Sequence, residues 1–114
     1  MKLLTKAIEA KLRSNSKKQR NGTVKYSDIK PVVKFFNPVG NSTWLISEMD
    51  GTDELFGLCD LGMGFPELGY VSLSEIAAHR GFLNMGIERD ISWTAKKTLI
   101  EYADEANELG RIKA

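Results

Sequence analysis

Between Pro31 and Asp60 the chain carries three short strand-forming stretches, and the turns between them are too short for any crossover. Val32 to Phe36 is rich in β-branched and aromatic residues. Asn37-Pro38 and Gly40-Asn41-Ser42 supply a turn before a second strand over Thr43 to Met49. Strict alternation puts Trp44, Ile46 and Glu48 on one of its faces and Leu45, Ser47 and Met49 on the other. Asp50-Gly51, lengthened by Thr52 and Asp53, marks a second turn, and Leu55 to Cys59 is the third strand. Parallel neighbours would need a connection of about a dozen residues or more, so the three strands form an antiparallel meander.

The stretch from Glu67 to Trp93 is equally dense in local signal. Glu67 to Val71 reads as a strand ending in two good strand formers, Tyr70 and Val71. Ser72 stands three residues before Glu75, the spacing of a capping box, so a short helix starts near Leu73 and is expected to stop at Gly81. Ile87, Arg89, Ile91 and Trp93 then fall on one face of a further strand, with Glu88, Asp90 and Ser92 on the other.

Helices are expected at both ends. Leu3, Leu4, Ala7, Ile8 and Leu12 recur at helical spacing, while Ser14 to Ser27 reads as a surface loop with Asn21-Gly22 as its turn. Thr94 caps a last helix from Ala95 to about Leu109, with Leu99, Tyr102, Ala103, Ala106 and Leu109 as its apolar stripe. Gly110 stops it, Lys97 and Glu101 are attracting neighbours, and its apolar face packs on the sheet or on a second copy of the chain. The fold class is α+β: an antiparallel sheet of about five strands flanked by N-terminal, short central and C-terminal helices. A chain of 114 residues supports one core, so residues 1–114 are expected to form a single domain.

Several function classes are disfavoured. Cys59 stands alone, which excludes an internal disulfide and fits a cytoplasmic address. The opening MKLLTKAIEAKL interrupts its apolar residues with charges, unlike a secretory leader, and no run approaches the roughly 18 apolar residues of a membrane span. Leu61-Gly62-Met63-Gly64-Phe65-Pro66 is glycine-rich, but Glu67 occupies the third glycine position of a dinucleotide fingerprint and no Gly-Lys-Ser/Thr follows, so the plain reading is a mobile loop. His79 is the sole histidine, and with one cysteine it cannot build an ordinary zinc site. Its expected task is to meet the carbonyls at the end of the central helix. No metal and no cofactor is expected.

Charge is distributed unevenly. Residues 1–34 carry ten basic against two acidic residues, a net +8, whereas residues 35–114 carry six against thirteen, a net −7. Lys17, Lys18, Arg20 and Lys25 with Tyr26, and Lys34 between Val33 and Phe35, combine phosphate partners with stacking surfaces and form the candidate nucleic-acid or partner contact. The competing expectation is that this basic third folds back on the acidic remainder. A second candidate site centres on Glu88-Arg89-Asp90. Glu88 and Asp90 should project from one strand face roughly 6 to 7 Å apart. Arg89, on an apolar face, should find a carboxylate, with Glu48 or Glu67 as candidates. Glu48, Glu67, Arg80, Glu88, Arg89 and Asp90 are thus the candidate ligand or ion-pair cluster, and the set from which a small enzyme would draw.

A family resemblance is carried by Leu3-Leu4-Thr5-Lys6, Val33-Lys34-Phe35-Phe36-Asn37-Pro38, Trp44, Glu48 and Phe56-Gly57-Leu58. Glu67-Leu68-Gly69-Tyr70, Ser72-Leu73-Ser74-Glu75-Ile76, Arg80-Gly81 and Ile87-Glu88-Arg89-Asp90 continue it. On these residues the chain resembles the small bacterial family catalogued as domain of unknown function 2958, seen on plasmids and other mobile elements. The resemblance runs from residue 3 to about 93, and the helix from Thr94 reads as a local extension. It implies a mobile-element setting and no mechanism. The function expected is a non-enzymatic binding or regulatory module for protein or nucleic acid, the alternative being a small enzyme with a carboxylate/arginine site.

Overall fold

The computed structural model describes residues 2–114. Among them are helices α1 (Lys6–Arg20), α2 (Leu73–Ala78) and α3 (Leu99–Leu109), and strands β1 (Val33–Phe36), β2 (Thr43–Asp50), β3 (Glu54–Asp60), β4 (Glu67–Ser72) and β5 (Glu88–Arg89). The strands form one antiparallel sheet in the order β4-β3-β2-β1-β5. The expected α+β class and meander are both present.

Two apolar layers sandwich the sheet. On one face Val33, Phe35, Trp44, Ile46, Met49 and Leu55 pack with Leu12 of α1 and Ile76 of α2. On the other, Leu45 and Leu58 pack with Leu99, Tyr102, Ala103 and Ala106 of α3. Each fully buried large side chain contributes about 1.5–3 kcal/mol relative to exposure, so these layers fix which face each helix covers.

The alternation expected along β2 breaks in its middle. The register against β3 shifts between Ile46 and Glu48, a β-bulge at Ser47. Met49 thereby joins the layer of Trp44 and Ile46, and Glu48 faces away from it. Strand β1 pairs with β2 only as far as Ile46, and α1 takes its place alongside the remainder. The Asn15 side-chain amide donates to the Ser47 carbonyl at 3.0 Å, and the Arg20 guanidinium reaches Asp50 at 2.8 Å.

This edge also explains why α1 is longer than its apolar pattern. Ser14 to Arg20 is helical and not a loop, because the helix there meets backbone carbonyls and carboxylates, which small polar residues suit. Leu3 and Leu4 are buried but precede the helix, whose N-cap is Thr5. Three further boundaries differ from expectation. Helix α2 ends at Ala78, and Gly81 has φ −108°, so it supplies no left-handed cap. Strand β5 stops at Arg89, because Asp90 accepts the Ser92 amide through its carboxylate and the Trp93 amide through its carbonyl. That turn leaves Ile91 75 % exposed. Helix α3 is capped by Thr98, not Thr94, in a reciprocal box with Glu101. Lys97 consequently pairs with Glu105 at 2.8 Å in place of Glu101, and Leu109 is 48 % exposed. Gly110 does end the helix, with φ 74°.

Candidate nucleic-acid interface

The carboxylates and arginines singled out in the sequence are spread over the molecule. Glu48 lies beside Arg20 and Asp50 on the α3-side face of β2, where burial raises its pKa against the lowering pull of Arg20. Glu67 opens β4, opposite Cys59 in register, at the far edge of the sheet from β5. The Arg89 guanidinium donates to the carbonyls of Lys2 and Leu3 at 2.7 and 3.2 Å, so it ties down the N-terminal segment instead of pairing as expected with Glu48 or Glu67. Asp90 lies 3.8 Å from Lys34. Arg80 donates to the carbonyls of Ala77 and His79 at 2.9 and 2.7 Å, the helix-end role expected of His79. The structure brings together one predicted pair, Arg80 and Glu88, which line a cavity of about 460 Å³ with Lys2, Lys6 and Glu9.

The basic residues sort themselves more sharply. Arg20 is engaged by Asp50, and Lys34 by Asp90 and by the Ala114 carbonyl at 2.6 Å. Both bear out the competing expectation that part of the basic third folds back on acidic groups. Lys17 and Lys25 are exposed. Lys18 alone among the five predicted contacts lines a groove of about 720 Å³ between α1 and the chain returning to the sheet.

Helix α1 presents Lys11 and Lys18 to this groove, seven residues apart and so on one face. Asn21 ends the helix, and the Thr23 amide donates to the Lys18 carbonyl at 2.9 Å, turning the chain back. The returning segment is pinned by the Val32 amide on the Ile46 carbonyl and the Leu99 amide on the Ile29 carbonyl, both at 2.8 Å. It delivers Lys30 to the groove, with Ile29, Pro31 and Val32 along its wall. Trp93 closes the far side, its ring centroid 6.1 Å from that of Tyr102, whose hydroxyl accepts the Lys96 amide at 3.0 Å. Among the described residues lining the groove, three are lysines and none is Asp or Glu. Glu101, the carboxylate that feels Lys30, is held in the α3 capping box.

Three separated ammonium groups beside an indole can neutralise successive phosphates and offer a surface for a base. Sequence reasoning missed Lys11, Lys30 and Trp93. The seven-residue interval from Lys11 to Lys18 is the available signal, and a loop over Ser14 to Ser27 hides it. Lys30 and Trp93 meet only through tertiary structure.

The model of the family described as Protein of unknown function (DUF2958) matches residues 3–113. This chain belongs to that family. Neither a curated protein nor a solved structure matches the chain. The DUF2958 match takes in α3, so the C-terminal helix is part of the family's domain and not a local extension. Every residue named in the groove lies inside the DUF2958 match.

Proposed function

We propose that the chain is a non-enzymatic binding module that takes the phosphate backbone of a nucleic acid in the groove between α1 and Trp93. The observation that carries this reading is the lining of Lys11, Lys18 and Lys30 without a carboxylate, in a chain whose overall charge is only +1. Cations gathered against that near-neutral average create a local field that draws a polyanion. Arg80 and Glu88 share a cavity, but Glu48 on β2 and Glu67 on β4 lie away from the β5 group and Arg89 is spent on the carbonyls of Lys2 and Leu3, which favours binding over the alternative of a carboxylate/arginine enzyme. The family resemblance supplies a mobile-element setting, and the lone thiol of Cys59 supports a cytoplasmic address.

The experiment is fluorescence anisotropy with labelled single-stranded and duplex DNA over a salt series. Each phosphate neutralised contributes about 0.7 (single strand) to 0.9 (duplex) to the log–log salt slope. Replacing Lys11, Lys18 and Lys30 together by alanine should flatten that slope by about 2 to 3, whereas replacing Lys17 and Lys25 should leave most of it. Salt-insensitive binding, or a triple variant that binds like the parent, would sink the proposal.

A further inference from the structure

Strand β4 is the terminal strand of the sheet, and its outer edge is open along Glu67–Ser72. Proteins normally blunt such an edge with lysine, an internal proline, a bulge or a covering element. Here the register from Glu67 to Ser72 runs without a bulge, and the strand contains neither lysine nor proline. No described strand pairs with the outer edge of β4, and its faces are open at the middle too, where Tyr70 is 68 % exposed and a Cβ on Gly69 would meet nothing within 4 Å.

Beside this edge lies the largest cavity described, about 800 Å³, bounded by Trp44, Leu61, Val71 and Ile76. Its rim carries Asp53, Glu54 and Glu75, and among its lining residues there is no lysine or arginine. The Asp53 carboxylate is fixed in place by the hydroxyls of Ser72 and Ser74 and by the Ser74 amide, which donate to it. An apolar groove with an acidic rim therefore runs along an unpaired strand.

We infer that β4 takes an extended basic segment of a partner protein by strand addition, its backbone pairing with Glu67–Ser72, its apolar side chains entering the groove and its cations meeting Asp53, Glu54 and Glu75. Strand addition draws affinity from main-chain hydrogen bonds and specificity from pockets for alternate side chains, and both elements are present here. Charge selects this occupant over a second copy. Antiparallel pairing of two β4 strands about a two-fold axis would set Glu67 of one against the Asp53, Glu54 and Glu75 end of the other, acid against acid.

The test uses the full chain and a fluorescein-labelled heptapeptide of alternating arginine and valine. Two controls accompany it: the same peptide with glutamate for arginine, and the same peptide methylated on alternate backbone nitrogens. Saturable binding is expected for the first peptide only, with slowed hydrogen exchange confined to the β4 amides. Glu54→Lys with Glu75→Lys, both at exposed positions, should weaken it at least tenfold while leaving the circular dichroism spectrum unchanged. Equal binding of the methylated peptide, no binding of the parent peptide, or protection outside β4 would each overturn the inference. So would a concentration-dependent dimer that protects β4 without peptide, since the occupant would then be a second copy. Because the basic groove lies on other elements, none of these outcomes bears on nucleic-acid binding.

Discussion

Gly57 and Gly69 face each other in register across the β3–β4 pair, yet their surroundings are opposite. A Cβ on Gly57 would lie 2.0 Å from the Leu45 carbonyl oxygen and 2.9 Å from the Ile46 Cα, while one on Gly69 would meet nothing within 4 Å. The crowding atoms at Gly57 are backbone of the central strand beside its bulge, so they have no side-chain freedom with which to give way. Gly57→Ala should therefore destabilise the fold by about 3 kcal/mol or more, at or beyond the upper end of the usual overpacking cost. Gly69→Ala should be neutral or stabilising by up to about 1 kcal/mol, through the lower entropy of the unfolded chain. Urea unfolding of the two variants checks both.

Asp60 is a second fixed point. It is 2 % exposed, and its two carboxylate oxygens accept the Gly62 amide at 2.8 Å and the Ile112 amide at 2.9 Å. It ties the β3–β4 loop and the segment after α3 to the sheet. Asp60→Ala leaves both amides without this acceptor and should cost about 2–4 kcal/mol. Asp60→Asn retains one carbonyl oxygen and should fall between alanine and the parent, as read by thermal and urea unfolding.

Acid should weaken the fold in a way that individual substitutions dissect. Hydrogen bonds from Ser72 and Ser74 hold the Asp53 carboxyl below its ordinary value of 3.8. The Gly51 amide and Arg20 do the same for Asp50, and Thr98 for Glu101. A lowered carboxylate contributes its stability fully above the unfolded value and loses it as pH falls through the folded one. Unfolding midpoints should thus drop below about pH 4, and Asp53→Asn should flatten that drop. Glu48 has the opposite sign: burial raises its pKa above 4.5, so its ionised form opposes folding near neutrality. Glu48→Gln should raise the midpoint at pH 7, and this gain should shrink as pH falls through the raised pKa.

Cys59 should be a poor nucleophile. Burial, with a smaller contribution from the charge of Glu67, pushes its thiol up to about 11, leaving almost no thiolate at neutral pH. Alkylation by iodoacetamide at pH 7.5 should be far slower than for a free thiol and should accelerate on addition of urea. Rapid labelling of the native chain would contradict this placement.

Strands β1 to β4 were legible in the sequence because their signals are local: β-branched runs, short turns and the Ser72 hydroxyl that does cap Glu75, whereas the alternation after Ile87 overstated β5. What was not legible depends on neighbours distant in the chain. Ser14, Asn15 and Ser16 look like loop residues until the open half-edge of β2 stands beside them. The bulge at Ser47 has no local marker, so simple alternation puts Glu48 and Met49 on the wrong faces. Thr98-Leu99-Ile100-Glu101 is itself a capping-box signature, a stronger local signal than the lone Thr94 hydroxyl. At the site, Lys18 was legible through charge, whereas Lys30 and Trp93 come together only because the Ile29 carbonyl anchors the start of α3.

The surplus residue at Ser47 directly follows Ile46, the partner in register of the bare α-carbon at Gly57. If the protruding residue at Ser47 draws the Leu45 carbonyl towards its neighbour, shortening β2 by one residue there should let that carbonyl retreat. Natural relatives that lack the surplus residue should then carry an ordinary side chain where this chain has Gly57, and deleting Ser47 here should rescue Gly57→Ala.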